Sequence, residues 1–424
     1  MSERRNLPKG WKWASIPNVV GKNGLFLDGD WIESKDQDVK GDVRLIQLAD
    51  IGDGNFRNKS SRFLTSKRAN ELRCTFLSEG DILVARMPDP IGRACIFPLK
   101  GRNKYVTAVD VAIIRTEEEI VNNKYLLYSI NNLEFRNSIE DLQSGTTRKR
   151  ISRKNLSILE FPLPPKPTQL AIVSKIEELF SELDKGIEQL KAAQLQLKTY
   201  RKAVLKWAFE GKLTNENVKD GELPEGWRIL KLKELAEEIS DGDHQAPPKS
   251  TSGVPFITIS NINKDNNRID FSDTFSVNKE YYVSLKINRK PLKGDVLYTV
   301  TGSFGIPILI DFEKEFCFQR HIGLIRPLET TNQKWLYYLL QSPKVYNQAK
   351  STATGTAQKT VALSSLRNFE VPFCSKEEQA KIVQEIESRL SVADKMEEST
   401  TQSLQQAEAL RQSILKKAFE GRLV

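Results

Sequence analysis

The feature that most constrains this 424-residue chain is an internal repeat at a spacing of 210 residues. Residues 144–151 read Ser-Gly-Thr-Thr-Arg-Lys-Arg-Ile, and residues 354–361 read Thr-Gly-Thr-Ala-Gln-Lys-Thr-Val. The same spacing, without a gap, carries residues 208–213 onto residues 418–423, where Ala-Phe-Glu-Gly is repeated in full. A match this long at one spacing is typical of duplicated units, so we expect two copies of one fold.

The front part of each copy repeats more loosely. Leu-Pro-x-Gly-Trp at residues 7–11 returns at residues 223–227, and Gly-Asp-Ile-Leu at residues 80–83 returns as Gly-Asp-Val-Leu at residues 294–297. These matches lie 216 and 214 residues apart, so short insertions and deletions separate the two front parts. We therefore divide the chain into variable units at 1–165 and 215–374, each followed by a closely similar unit, at 166–214 and 375–424.

The two similar units are predicted to be long helices. Their seam positions recur at alternating steps of three and four over about five heptads, which is typical of a coiled coil. Pro165 and Pro167 mark the first start, Ser375 and Glu378 form a capping-box pattern at the second, and a glycine follows each helix. Each helix is therefore about 43 residues, or roughly 65 Å, long. The apolar seam positions are Val173, Ile176, Phe180, Leu183, Ile187, Leu190, Leu197, Val204, Val383, Ile386, Leu390, Leu404 and Ile414.

Each seam needs an apolar partner, and the nearest is the other seam of the same chain. The alternative is that each seam packs only against its neighbouring variable unit. Polar residues also occupy seam positions, among them Gln194, Arg201 and Glu397. They suggest control of register or contact with a further protein, the other interpretation being a solvated defect.

The variable units are predicted to be compact α+β domains with twisted sheets. Short β-type runs separated by turn signals fill both units, and one helix is expected near the end of each, at 123–130 and 333–340. The β-type runs are 43–48, 81–85, 109–115, 256–260, 296–300 and 322–326.

The charge of the chain is compatible with a polyanionic partner without requiring one. The net charge is +9 and the isoelectric point about 9.1, but the second variable unit is nearly neutral. Nucleic-acid binding by that unit must therefore come from local loops.

The strongest candidate for such contact is the segment 144–154, which holds five basic residues and no acid. Small Gly and Thr side chains beside long donors suit close approach to a phosphate backbone, and Arg and Gln can bond to guanine and adenine edges. The alternative is a plain surface turn before the last strand of the unit. The candidates are Thr146, Thr147, Arg148, Lys149, Arg150, Arg153 and Lys154, with Thr356, Gln358 and Lys359 in the second copy.

A second candidate is the loop that follows the Gly-Asp-Ile/Val-Leu motif. It spans 86–93 in the first unit and 301–305 in the second, and the two loops differ in chemistry at the same topological place. That difference is expected if the copies bind different base sequences. The candidate residues are Arg86, Arg93, Ser303 and Phe304.

The motifs of several enzyme classes are absent from the sequence. It has no Gly-x4-Gly-Lys-Ser/Thr phosphate loop, no Asn/Asp-Pro-Pro-aromatic motif of an amino-methyltransferase, and only two histidines. The four cysteines lie far apart without a Cys-x-x-Cys pair, which favours reduced thiols in the cytoplasm. We expect no catalytic residue, no metal, no secretory signal and no membrane span.

Taken in their order, and twice over, these motifs resemble the specificity subunit of type I restriction–modification systems along essentially the full chain. The resemblance implies two target-recognition domains, each binding one half of a split, asymmetric site in double-stranded DNA. It also implies that the helices form an intramolecular antiparallel coiled coil between the domains, with pseudo-twofold symmetry. The helical pair would dock two modification subunits, which bind S-adenosylmethionine and methylate a flipped adenine, and two restriction subunits would add ATP- and Mg-dependent translocation and cleavage.

Two other function classes remain open from the sequence. One is a non-enzymatic coiled-coil scaffold whose variable units bind protein, polysaccharide or another ligand, favoured by the weak charge of the second unit. The other is an enzyme with a site that these motifs do not describe. Salt-dependent binding to duplex DNA and dependence of methylation on a partner subunit would separate them from a specificity subunit.

Overall fold

The computed structural model describes residues 6–88, 90–145, 148–215, 217–245 and 247–424. The chain forms two compact units. The first contains the described residues up to Leu190 together with Gln402–Val424, and the second contains Lys191–Thr401. Each long helix therefore contributes one part to each unit.

The first unit is built around a four-stranded antiparallel sheet of order β2-β8-β5-β6. Apolar side chains fill both faces of its central strands, as expected for a strand covered on two sides. A second sheet, of order β4-β3-β7, lies in the same unit, and β1 pairs with β9 near the start of the long helix. The strands are β1 Lys12–Ser15, β2 Leu25–Asp28, β3 Val43–Ile46, β4 Arg62–Leu64, β5 Ile82–Ala85, β6 Ala94–Ile96, β7 Tyr105–Thr107, β8 Val111–Arg115 and β9 Glu160–Leu163.

The second unit repeats this arrangement strand for strand. Its main sheet has the order β11-β19-β16-β17, its second sheet the order β15-β12-β18, and β10 pairs with β20. A short hairpin, β13–β14, is added. The strands are β10 Arg228–Lys231, β11 Ala236–Asp241, β12 Val254–Ile257, β13 Ile262–Asn263, β14 Arg268–Ile269, β15 Phe275–Val277, β16 Val296–Thr299, β17 Pro307–Leu309, β18 Cys317–Phe318, β19 Ile322–Pro327 and β20 Glu370–Phe373.

The core of each unit has two main parts, one on either face of the four-stranded sheet. In the first unit Ile82 and Val84 face the helices, whereas Leu83 and Ala85 face the second sheet. This division follows from the alternation of side chains along a strand. The predicted mixture of helices and sheets in a duplicated fold is confirmed.

The helices near the end of each unit come in pairs. The sequence predicts the first member of each pair within one residue of its end, but the second members, α4 and α9, were not predicted. The short and medium helices are α1 Ile16–Val20, α2 Ser66–Glu71, α3 Asn123–Asn131, α4 Leu133–Asp141, α5 Arg153–Ser157, α7 Lys279–Ser284, α8 Gln333–Gln341, α9 Pro343–Thr352 and α10 Leu363–Arg367.

The two similar segments form helices of 44 residues each, α6 Lys166–Phe209 and α11 Lys376–Phe419. In the second unit Gln194 donates to Thr401 at 3.3 Å, and Arg201 lies 2.6 Å from Asp394. The partner number falls as the α6 number rises, so the two helices are antiparallel there. The polar seam residues thus bond across the pair.

The burial and the packing partners of the seam residues differ along the two helices. Val173 and Ile176 join the core of the first unit together with Ile414, and Val204 joins the core of the second. The central positions, such as Ile187 and Leu404, are half-buried. The helix ends therefore pack into the globular cores, whereas the polar seam residues bond helix to helix. Leu183, Leu190, Leu197, Phe180 and Leu390 are likewise half-buried, and Val383 and Ile386 are buried.

The helix boundaries have local causes. The Ser375 hydroxyl accepts a hydrogen bond from the Glu378 backbone at 3.3 Å, as a cap does, while the Glu378 carboxylate accepts one from Thr214 at 2.6 Å. Gly211 and Gly421 end the helices at φ of +78° and +71°, in the left-handed region that glycine adopts most easily. Among the described residues, no helix has both the length and the apolar character needed to cross a membrane.

Candidate nucleic-acid interface

The two loops that the sequence singles out lie side by side in each unit. In the first, the Ile151 backbone N–H donates to the Arg86 carbonyl at 3.0 Å; in the second, Val361 donates to Val300 at 2.8 Å. The Gly302 N–H also donates to the carbonyl of Lys359 at 2.9 Å. The structure thus joins two sequence segments that are more than fifty residues apart into one surface.

The repeated Ser/Thr-Gly-Thr segment closes as a tight hairpin loop in both units. Ser144 and Arg150 exchange both backbone hydrogen bonds at 2.8 Å, and Thr354 and Thr360 do so at 2.9 and 2.8 Å. The glycine that follows has φ of +99° in the first unit and +105° in the second. In the second unit an added Cβ on Gly355 would lie 2.3 Å from the Gln358 carbonyl oxygen. Glycine is therefore required by both conformation and space.

Most candidate side chains of this hairpin and the following turn reach solvent. Arg148, Lys149, Arg153 and Lys154 are exposed, and so are the candidates of the second unit, Thr356, Gln358 and Lys359. Gln358 and Lys359 are the counterparts of Arg148 and Lys149. Arg150 is half-buried and lies 3.5 Å from Asp110. Thr146 and Thr147 lie outside the described residues. The first unit therefore presents four exposed cations from this segment, and the second presents mainly neutral donors and acceptors.

Arg93 is buried instead of facing solvent. Its guanidinium donates to the carbonyls of Ile51 at 2.8 Å, Pro90 at 2.9 Å and Leu48 at 3.0 Å. A side chain that satisfies distant backbone carbonyls in this way holds a loop in place. Its position assigns Arg93 a structural part in shaping the 86–93 loop, and a direct base contact by it stays a prediction.

Arg86 is also buried, and it forms an ion pair with Asp28. Burial lowers the pKa of its guanidinium, with the nearby charge of Arg150 acting in the same direction and that of Asp28 against it. Arg153 approaches the same carboxylate at 3.9 Å. Asp28 therefore connects the two candidate loops of the first unit electrostatically.

In the second unit the two candidate residues of the 301–305 loop differ in their exposure to solvent. Ser303 is exposed, whereas Phe304 is half-buried and stacks on Tyr346 with ring centroids 6.1 Å apart. The Ser303 carbonyl accepts a hydrogen bond from the Thr299 hydroxyl at 2.8 Å. Ser303 is thus available to a ligand, while one face of the Phe304 ring is already used for packing.

Sequence reasoning missed Asp28 and Asp110, which orient the basic side chains. A signal for the first was present: Asp-Gly-Asp at residues 28–30 returns at residues 241–243. No comparable repeat marks Asp110, whose role depends on a tertiary contact.

The cysteine side chains of the described residues lie in the interior. Cys74, Cys95, Cys317 and Cys374 are free and buried, and burial raises the pKa of each thiol to about 12. Such thiols are protonated and unreactive at neutral pH. Within the described ranges, no group of three or more His, Cys, Asp and Glu side chains is placed to hold a metal ion.

Comparison with known proteins identifies the family. The model of the type I restriction modification DNA specificity domain matches residues 8–192 and again residues 224–409. The chain belongs to this family. The two matches correspond to the two copies found in the sequence, so each copy carries its own specificity domain.

The similarity to individual members of this family covers most of the chain. The chain is 28% identical to the type I restriction enzyme EcoBI specificity subunit of Escherichia coli over 328 residues, which cover 74% of this chain and 68% of the relative. It is 24% identical to the MjaVIII specificity subunit of Methanocaldococcus jannaschii over 425 residues, covering 96% of both proteins.

Solved structures of the family share the fold. A chain from a structure on complex assembly and conformational transition of the type I R-M system matches with a TM-score of 0.73 at 19% identity, over 99% of this chain and 100% of that chain. The HsdS subunit from Thermoanaerobacter tengcongensis matches with a TM-score of 0.56, also at 19% identity, over 99% of each chain.

Proposed function

We propose that this chain is the non-catalytic specificity subunit of a type I restriction–modification complex and that it recognises a split, asymmetric site in duplex DNA. Each variable unit binds one half-site through the surface where its two candidate loops meet. The observation that carries the proposal is the pairing of these loops in both units, with different exposed chemistry on an equivalent backbone. Two similar folds with different contact residues suit a site whose halves differ in sequence.

The first unit supplies the stronger electrostatic contribution. Four exposed cations, Arg148, Lys149, Arg153 and Lys154, lie on or just after one tight hairpin. Phosphate contacts by such residues provide affinity and orientation, and an arginine can also bond to a guanine edge. In the second unit Gln358 and Thr356 have the donor and acceptor groups needed for base edges, with Lys359 beside them for a phosphate.

The reaction itself belongs to partner subunits. Two modification subunits dock on the helical pair, bind S-adenosylmethionine and methylate an adenine flipped out of each half-site. Two restriction subunits use ATP and Mg²⁺ for translocation and cleavage, so this chain binds none of these cofactors. Exposed apolar side chains on the long helices support such docking: Leu195 is 67% exposed, Met396 53% and Val392 51%.

We also place the protein in the cytoplasm, where its DNA and partners would be found. Four free cysteines fit a reducing compartment.

The proposal is tested by the salt dependence of DNA binding by the complex of this chain with the modification subunits. Replacing Arg148 and Lys149 with alanine should reduce the slope of log K against log salt by about 2, because two phosphate contacts are lost. The matched control is Lys100→Ala with Lys104→Ala, two exposed lysines between β6 and β7 of the same unit, and it should leave the slope unchanged.

Sequencing of modified adenines in cells with and without this gene gives the second readout. The proposal expects one bipartite motif to be methylated only when the chain is present. An unchanged methylome, or a wild-type slope in the Arg148→Ala, Lys149→Ala variant, would contradict it.

A further inference from the structure

A second repeated loop has the same geometry in both units. Asp-Gly-Asp begins at the last residue of a strand in each unit, at residues 28–30 after β2 reaches Asp28 and at residues 241–243 after β11 reaches Asp241. The Asp30 N–H donates to the Thr107 carbonyl at 2.8 Å, and the Asp243 N–H donates to the Phe318 carbonyl at 2.9 Å. Each second aspartate also makes an isolated parallel bridge to the residue after that carbonyl. The two loops therefore leave their sheets in the same way.

Close backbone approach fixes both loops. An added Cβ on Gly29 would lie 2.2 Å from the Ala108 carbonyl oxygen, and one on Gly242 would lie 2.0 Å from the Phe318 carbonyl oxygen. The Asp30 carboxylate accepts a hydrogen bond from the Thr75 N–H at 2.9 Å. A loop held by backbone and side-chain contacts of this kind can present its next residue in one orientation.

The residue that each loop presents is an exposed ring. Trp31 is 68% exposed, and its Nε1 donates to the Glu33 carboxylate at 3.2 Å. In the second unit the His244 side chain is 56% exposed, and its Nε2 lies 2.9 Å from an oxygen of Asp241. Each ring is thus oriented by a nearby carboxylate while one side of it stays open to a ligand.

In the first unit this loop lies close to Arg153, which begins helix α5 just after the hairpin at residues 144–150. Asp28 pairs with Arg86 and approaches Arg153 at 3.9 Å, and Arg153 donates to the Phe26 carbonyl at 3.0 Å. Trp31 is three residues beyond Asp28, a backbone span of at most about 10 Å. A ligand that binds the exposed cations Arg153 and Lys154 is therefore within reach of the indole.

We propose that Trp31 and His244 are specificity-determining DNA contacts, one for each half-site. This inference rests on the proposed function and adds to it a DNA contact outside the two candidate loops of each unit. The indole of Trp31 makes apolar contact with bases, such as a thymine methyl or an opened base step. The imidazole of His244 bonds to a base edge through the ring nitrogen that does not face Asp241.

In the first unit duplex DNA fits this position because the exposed Trp31 ring follows Asp28, which Arg153 approaches at 3.9 Å. Aromatic contact with bases tolerates many geometries, whereas cations at the same edge hold the phosphates. The change from tryptophan to histidine at equivalent positions again gives the two units different contact chemistry on one backbone.

The test uses the full chain in complex with its modification subunits. Trp31→Ala should weaken binding to a cognate duplex by about tenfold, in the range of a lost base contact, while binding to non-cognate DNA and its salt slope stay as in the wild type. The matched control is Val39→Ala, because Val39 is 95% exposed in the same unit. Methylome sequencing of the Trp31→Ala strain should show that one half-site of the methylated motif accepts additional bases. His244→Ala should have the same effect on the other half-site.

Fluorescence provides a direct second readout. Cognate DNA should quench part of the tryptophan emission of the wild type, and Trp31→Phe should lose that part although it keeps an aromatic ring and most of the specificity. If wild-type binding is specific but Trp31→Ala and His244→Ala leave both half-sites and the affinity unchanged, the inference is overturned and the proposed function stands. If the wild-type complex itself shows no specific binding, both fail.

Discussion

Arg411 forms an ion pair with Asp184 across the two long helices, and the 210-residue repeat relates this pair to Arg201 and Asp394. Each pair joins α6 to α11 within its own unit. The arginine comes from α11 in the first unit and from α6 in the second. This reciprocal exchange is what an antiparallel pair of duplicated helices requires, because the repeat then places like residues at opposite ends.

The two ion pairs should make small but measurable contributions to stability. The acids are mostly exposed, at 59% for Asp184 and 67% for Asp394, so a double-mutant cycle on either pair should give a coupling of about 0.2–1 kcal/mol. Arg411→Ala should also lose contact with the Phe180 ring, whose centroid lies 4.4 Å from the guanidinium, at about 0.5–1 kcal/mol. Urea unfolding measures both, and strict additivity in the cycles would contradict direct pairing.

The buried glutamine at the start of α11 should contribute much more to the stability of the protein than an exposed glutamine of the same helix. Gln379 is fully buried; its Oε1 accepts from the Asn332 N–H at 2.7 Å, and its Nε2 donates to the Cys374 carbonyl at 3.0 Å. Gln169 makes the same contacts with Asn122 and Pro164 in the first unit. Gln379→Leu should lower the free energy of unfolding by about 1–3 kcal/mol because polar backbone groups lose their partners.

The control for that variant is Gln405→Leu, on the exposed part of α11. It should change the free energy of unfolding by less than about 0.5 kcal/mol, as surface substitutions usually do. Equal effects of the two variants in urea unfolding would show that the buried contacts do not anchor the helix.

Replacing a glycine with alanine should have opposite effects on stability at Gly186 and Gly211. Gly186 lies inside α6 with open space around an added Cβ, so Gly186→Ala should stabilise the protein by about 0.5–1 kcal/mol. Gly211 has φ of +78°, and an added Cβ would lie 2.1 Å from Cγ of Pro224, so Gly211→Ala should destabilise it. Thermal unfolding measures both variants, and stabilisation by Gly211→Ala would contradict the geometry of this corner.

Shortening both helices by one heptad should shorten the spacer between the half-sites. Removing 189–195 and 399–405 takes about 10 Å from each helix, equivalent to about three base pairs, and keeps the seam in phase. Methylome sequencing should show either a shorter spacer in the motif or loss of methylation. A four-residue deletion is the control, because it shifts the seam and should destabilise the pair. An unchanged spacer after the heptad deletion would contradict the prediction that the length of the helices sets the length of the spacer.

The sequence predicted the long helices well because their signal is local and repeated. The expected length of about 43 residues compares with 44 in the structure. The predicted strand positions were also close to the observed ones; the apolar run 296–300, for example, contains β16. Helix α4 escaped prediction because only two of its residues, Phe135 and Ile139, are buried, too few to show a period.

The candidate interface was only partly predictable. The exposed hairpin around Arg148 follows from its composition and its glycine. The burial of Arg93 does not, because its hydrogen-bond partners include the carbonyls of Leu48 and Ile51, more than forty residues away. Composition cannot tell an arginine that binds its own backbone from one that binds a phosphate.

The most direct test of the account is an exchange of residues 1–165 for the corresponding unit of another family member, followed by sequencing of methylated adenines. We predict that one half-site of the motif changes to that of the donor while the other half-site stays the same. A motif in which both halves change, or in which neither does, would contradict the claim that each unit recognises its own half of the DNA site.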